Sequence, residues 1–171
     1  MLLKKLLPIF VASVFMGCGE YQYRPAHVLP DNLQSLAIIP FKNNTVYYGL
    51  EDLLVRELTD EFTRTGRLLV KDKKEADALL TGEIVRYILE PLSYDAHDKV
   101  EEYKLWIVVN IKLVEKATGE ILYYEENIKT YVRYFVTPRA GEVVETEEEA
   151  VLRAVRDITQ EIVQLILRFE Y

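Results

Sequence analysis

Residues 103–135 read YKLWIVVNIKLVE, then KATG, then EILYYEENIKTYVRYF, and this stretch decides the fold. In the first segment Tyr103, Leu105, Ile107, Val109, Ile111 and Leu113 share one face. Lys104, Asn110 and Lys112 fall on the other, with Trp106 and Val108 among them. A period of two over thirteen residues marks a half-buried antiparallel strand. KATG (116–119) is a hairpin loop with Gly119 placed for positive φ. The second segment alternates back, with Leu122, Tyr124, Ile128, Thr130 and Val132 expected on its inner face.

Working toward the N-terminus, LTGEIVRYIL (80–89) lies in a strand expected over Leu79–Leu89, which Pro91 ends because proline cannot donate to a ladder. A charged turn, KDKKEAD (71–77), separates it from a short strand at Leu68–Val70. LEDLLVRELTDEFTRTG (50–66) puts Leu50, Leu53, Leu54, Leu58 and Phe62 on one helical face, and Gly66 stands where a C-cap is wanted. SLAIIPF (35–41) is a continuous apolar run, read as a buried strand, followed by a polar loop, KNNTVYYG (42–49). Toward the C-terminus, VTPRAGEVVE (136–145) is a loop. Thr146 with Glu149 forms a capping box for a helix. That helix turns Val151, Ala154, Val155, Ile158, Ile162, Leu165, Ile166 and Phe169 inward.

The expected order is β-α-β-β-β-β-α. Its fold class is α+β: a two-layer sandwich, with a mostly antiparallel sheet of four to five strands and both helices packed on one face. The opposite face carries Trp106, Lys104, Lys112, Lys129, Tyr131 and Arg133 and is open to a partner.

The first eighteen residues, MLLKKLLPIFVASVFMGC, have a basic start at Lys4 and Lys5 and an apolar run from Leu6 to Met16, then Gly17 and Cys18. This is a signal-peptide layout, and the run is about half what a membrane-spanning helix needs. Its end, Phe15-Met16-Gly17-Cys18, resembles the bacterial lipobox. The resemblance implies that residues 1–17 are removed, that the Cys18 thiol receives a diacylglyceryl group, and that the new amino terminus is acylated. Several acyl chains hold a protein firmly to a bilayer, where one holds it only marginally. Gly19 follows, rather than the Asp that in enteric bacteria marks inner-membrane retention, so the expected destination is the outer membrane, facing the periplasm. Residues 18–34 read as a lipidated N-terminus and tether, and 35–171 as one periplasmic domain.

The 171 residues suit a single domain. A formal net charge of −7 gives no basic face for nucleic acid. Twelve tyrosines against one tryptophan suggest wet interfaces or half-exposed strands. The two histidines, His27 and His97, both fall in loops, with no metal-ligand spacing. The seven glycines form no phosphate cradle, and carboxylate runs such as Glu147–Glu149 read as caps and solvated faces. No enzyme, no cofactor and no metal are expected.

LPDNLQSLAIIPFKNNTVYYGLEDLLVRELTDEF (29–62), KEADALLTGEIVRY (74–87) and YKLWIVVNIKLVEKATGEILY (103–123) resemble, in order, the lipopolysaccharide-assembly lipoproteins of the LptE family. The resemblance covers about residues 18–170. It implies a non-catalytic protein that plugs an LptD-type outer-membrane β-barrel and supports both its assembly and lipopolysaccharide insertion. It also implies lipopolysaccharide contact through basic residues of the sheet, for which Arg86, Lys104, Lys112, Lys129 and Arg133 are the candidates here. The AIIPF strand with its Asn-Thr loop also resembles envelope lipoproteins that activate peptidoglycan synthases. About fifteen residues of tether, some 50 Å fully extended, favour a domain held close to the membrane instead.

Overall fold

The computed structural model describes residues 29–30, 32–138 and 140–167. The lipobox with Cys18, the signal segment, most of the tether and Phe169 lie outside the described residues. The elements are β1 (Ser35–Ile38), β2 (Lys42–Asn43), α1 (Leu50–Thr65), β3 (Leu69–Val70), β4 (Ala78–Tyr94), β5 (Val100–Glu115), β6 (Ile121–Phe135) and α2 (Glu147–Leu167). The sheet runs β3-β1-β4-β5-β6, with β2 also on β4. Both helices pack on one side of it, and the other side is open.

The expected α+β class with two helices on one face stands, but the sheet is a mixed one of six strands. β1 pairs in parallel with both β3 and β4, and β2 pairs in parallel with β4. Only β4, β5 and β6 are antiparallel. α1 lies between β1 and its sheet neighbours β3 and β4, and such a crossover is what lets the chain return parallel to β1. The strand expected over 35–41 stops at Ile38, ahead of Pro40, which supplies no donor to a ladder, and the stretch expected as a loop from residue 42 opens with a short strand, β2.

Polar side chains fix these short strands. The Asp77 carboxylate accepts from the Ser35 hydroxyl at 2.6 Å and from the Gln34 amide at 3.3 Å, while the Asp77 amide donates back to Ser35 Oγ at 3.2 Å. This ties the start of β1 to the start of β4. In the loop after β2, Asn43 Oδ1 accepts from the amide and hydroxyl of Thr45, at 2.9 and 2.8 Å, and Asn43 Nδ2 donates to Tyr47 O and Glu51. The Asn-Thr loop is therefore a structural turn that aims α1.

The core lies between the inner sheet face and the helices. Leu50, Leu54, Leu58 and Phe62 of α1 meet Val151, Ala154, Val155, Ile158 and Ile162 of α2 over Leu80, Ile84, Leu105, Ile107, Val109, Ile111 and Leu113. It reaches back to Leu33 and Leu29, ahead of the boundary expected at residue 35. Gly66 closes α1 at φ 65°, its amide bonded to Phe62 O at 3.1 Å. The capping box forms: the Thr146 amide donates to Glu149 at 2.8 Å, and the Glu149 amide donates to Thr146 Oγ1 at 3.2 Å.

Two expectations about the long strands need correction. Pro91 does not end β4, which continues to Tyr94 with Pro91 opposite Tyr103. Above Ile84 the outer edge of β4 has no partner strand among the described residues, so the missing donor costs nothing there. Tyr124 does not face the core; it is half-exposed, and Tyr123 is buried instead. Asn127 adopts φ 57° and its amide bonds Asn110 Oδ1 at 2.9 Å, which forms a bulge that shifts the alternation of β6 by one residue.

Candidate functional site

The pairing of β4, β5 and β6 lays nine side chains on the open face in three rows. Arg86, Val108 and Lys129 form the first, Ile88, Trp106 and Tyr131 the second, and Glu90, Lys104 and Arg133 the third. Every lysine and arginine of these three strands stands on this face: Lys104, Lys112, Lys129 and Arg133 as the sequence reading expected, and Arg86 in addition. Together α1 and α2 carry ten acidic and four basic residues. The three long strands thus turn all their cations to the open face, while the helices on the other side are mostly acidic.

The five sequence candidates are not equivalent. Lys104 Nζ sits 4.0 Å from the Trp106 ring centroid and 4.2 Å from that of Tyr131, and the two rings pack 4.8 Å apart. Its charge is held by their faces. Arg133 forms an ion pair with Glu102, a carboxylate only 4% exposed. Lys112 lies opposite Thr81 and Tyr124, four residues along β5 from Val108, or about 13 Å. Arg86 and Lys129 are exposed and form no ion pair among the described residues. They flank Val108 across two strand spacings, about 10 Å between backbones, so their long side chains can close on one anionic group.

A groove of about 580 Å³ runs between these cations and the tip of the β4–β5 hairpin, with Ile88, Trp106 and Val108 as its apolar floor. Val108 is 7% exposed although it points away from the helices. The sequence reading does not single out Ile88 or Glu90, and it takes Pro91 only as a strand end. The signal is present as Arg86-Ile88-Glu90, the two-residue alternation of an exposed strand face, but the strand expected over Leu79–Leu89 carries no face assignment.

A second polar cluster lies at the N-terminal end of α2. Tyr87 donates to Glu147 at 2.5 Å, Tyr47 packs 4.9 Å from Tyr87, and Tyr103 stacks 5.7 Å from Tyr134. Burial first, then the bond to Glu147, holds the Tyr87 hydroxyl well above the ordinary phenol range. Burial and the nearby Glu147 push Tyr134 up to about 12. These shifts keep both hydroxyls protonated, the opposite of what a catalytic base needs. No group of three or more His, Cys, Asp or Glu suited to a metal occurs among the described residues. His97 is in the β4–β5 turn, and His27 lies outside the described residues.

The lipopolysaccharide-assembly family model LptE matches residues 33–166. This chain belongs to the LptE family. It is a lipopolysaccharide-assembly lipoprotein and not an enzyme. Comparison with curated protein sequences finds no match. Among solved structures, the chain resembles an uncharacterised lipoprotein B from Nitrosomonas europaea at 21% identity, TM-score 0.54, covering 84% of this chain and 87% of that one. A Xanthomonas campestris protein matches at 14% identity, TM-score 0.52, with 83% and 91% covered. A PelC variant from Paraburkholderia phytofirmans, described as a dodecamer, matches at 9% identity, TM-score 0.51, with 78% and 89% covered. At these identities the likeness establishes the fold.

Proposed function

We propose that this LptE-family chain plugs an LptD-type outer-membrane β-barrel, helps it assemble, and contributes to lipopolysaccharide insertion into the outer leaflet. In this reading it is anchored to the inner leaflet of the outer membrane through lipidated Cys18 and faces the periplasm. The observation that carries the reading is the family match across the folded domain, from Leu33 to Ile166.

The shape is compatible. The chain enters at the end of the sheet where Ala78 and the Glu115–Glu120 turn lie, and the β4–β5 hairpin points the other way. From Ala78 to Tyr94 β4 extends about 53 Å at strand rise, against about 30 Å for a bilayer core. An element this long crosses the height of a barrel lumen. Its open face mixes Trp, Tyr, Lys, Arg and Glu, which suits a polar, hydrated lumen.

On that face we assign the lipopolysaccharide phosphates chiefly to Lys129, with lesser parts for Arg86, Lys104, Lys112 and Arg133. The test is depletion of the chain in its own organism while following surface lipopolysaccharide and folded barrel. Both are expected to fall together, and the variant Lys129→Glu is expected to restore barrel level without restoring surface lipopolysaccharide. Unchanged surface lipopolysaccharide on depletion would overturn the function. A defect in cell-wall synthesis alone would point to the activator role instead.

A further inference from the structure

The outer edge of β4 is occupied for only part of its length. Leu80 O accepts from the Ile39 amide at 2.9 Å and Ile84 O from the Asn44 amide at 3.0 Å, through the chain that forms β1 and β2. Beyond Asn44 the chain turns toward α1. From Arg86 onward, β4 pairs with β5 alone among the described residues. The stretch Arg86–Glu90 keeps an unbroken register against Val108–Lys104, between the register break at Ile84/Arg86 and Pro91. Five regular residues with one free edge are a template for strand addition.

The far edge of the sheet, on β6, is guarded differently. It carries the Asn127 bulge, charged residues at Glu125, Glu126, Lys129 and Arg133, and a cover at its upper end. There Val144 bridges Phe135, and Arg153 donates to Arg133 O at 2.9 Å. Bulges and charges on an edge oppose pairing. The free part of β4 has neither between Arg86 and Glu90 except its two end charges, and it is flanked by the groove. Leu89, whose side chain turns toward the helices, lines that groove with Ile88, so the groove reaches round the edge.

The chemistry of this edge selects its occupant. A row of backbone donors and acceptors is matched by another backbone, which an acyl chain or a phosphate does not supply. Arg86, on the edge strand itself, forms no ion pair among the described residues, so the complement is acidic. Ile88, Trp106 and Val108 call for an apolar side chain next to it. We propose that the outer edge of β4 over Arg86–Glu90 receives an extended acidic–apolar segment of the barrel partner as an added strand. The acidic residue lies opposite Arg86, and an apolar residue two positions away covers Ile88. The identity of the donor rests on the plug reading; the existence of the docking edge rests on the geometry alone.

The experiment is hydrogen exchange, read by mass spectrometry, on the full lipidated chain alone and on the chain purified with its barrel. Strand addition slows the outward-facing amides within Val85–Glu90 by roughly a hundredfold and leaves Ile121–Glu125 of β6 unprotected. In the same complex Arg86→Glu is expected to reduce that protection about fivefold, and Lys112→Glu to leave it intact. If the complex forms and Val85–Glu90 exchanges as in the free chain, the docking edge is wrong and the plug reading stands. Equal protection of β6 would mean general burial in the lumen and would also overturn it. So would protection produced by purified lipopolysaccharide alone, which would make the groove a lipid slot. If no barrel accompanies the chain, the assignment of the donor falls together with the plug reading.

Discussion

Gly82 is the position where one added methyl group tells most about the packing of this sheet. It lies on the inner face of β4 opposite Ile111, and the Phe41 ring fills the place a side chain would take. A Cβ built there falls 2.4 Å from Asn110 O and 2.4 Å from Phe41 Cε1, with Cδ1 at 2.8 Å. Ordinary contacts need about 1 Å more on both sides. Neither neighbour yields easily: Asn110 O belongs to the backbone of a strand flanked on both edges, and Phe41 is 3% exposed. Elsewhere in a strand, Gly→Ala gains about 0.5–1 kcal/mol from the unfolded chain. Here overpacking, typically 1–3 kcal/mol and more when backbone must move, dominates. Gly82→Ala is therefore expected to lose about 3 kcal/mol in urea unfolding of the soluble mature chain, followed by far-ultraviolet circular dichroism. Adding Phe41→Leu relieves the ring and not the carbonyl, so it recovers less than half. A loss under about 0.5 kcal/mol for Gly82→Ala would refute the close approach of Phe41 and with it the placement of β1 and β2 over β4.

The other predictions concern charge, capping and burial. Arg133→Ala strands the buried Glu102 carboxylate and is expected to cost about 2 kcal/mol, whereas Lys129→Ala costs under about 0.5 kcal/mol; thermal unfolding of the two variants separates them. Thr146→Ala removes one arm of the capping box and should lose about 1 kcal/mol in the same assay. Thr159 is 2% exposed and its hydroxyl has no hydrogen-bond partner among the described residues, so Thr159→Val is expected to stabilise by about 1 kcal/mol. Tyr87 and Tyr134 hold their protons more tightly folded than unfolded. Their stabilising effect is complete below the ordinary value of 10.0 and is lost as pH climbs from there through about 12. The urea midpoint should accordingly be flat from pH 8 to 10 and fall above it. In Tyr87→Phe the fall should be shallower.

The parts of the fold legible in the sequence are those whose signal is local. The β5–β6 hairpin, both helices, the capping box and Gly66 each rest on a period or a cap within a few residues, and each forms, with the inward face of β6 misread at Tyr124. The parallel pairings of β1, β2 and β3 depend on which strand the chain returns beside, and four- or two-residue strands carry no period to say so. The bulge at Asn127 depends on an amide finding Asn110 on another strand, which no alternation within β6 reveals. The open face was legible because strand alternation alone assigns Lys104, Lys112, Lys129 and Arg133 to one side. Their different standing was not, since it rests on contacts across strands: Lys104 with Trp106 and Tyr131, Arg133 with Glu102. The free edge beside Arg86 was hidden for the same reason, because it exists only where β2 stops pairing with β4.

The central claim is that this chain works inside an outer-membrane β-barrel. The most direct measurement is capture of the C-terminally tagged chain from isolated outer membranes of its own organism in mild detergent, with the co-purifying proteins quantified and the domain exposed to protease. The account predicts one large β-barrel in equal amount, retained through high salt, with residues from Leu33 to Ile166 protected until the barrel is denatured. Capture of a peptidoglycan synthase in its place, or a domain digested as readily in the membrane as in solution, would contradict it.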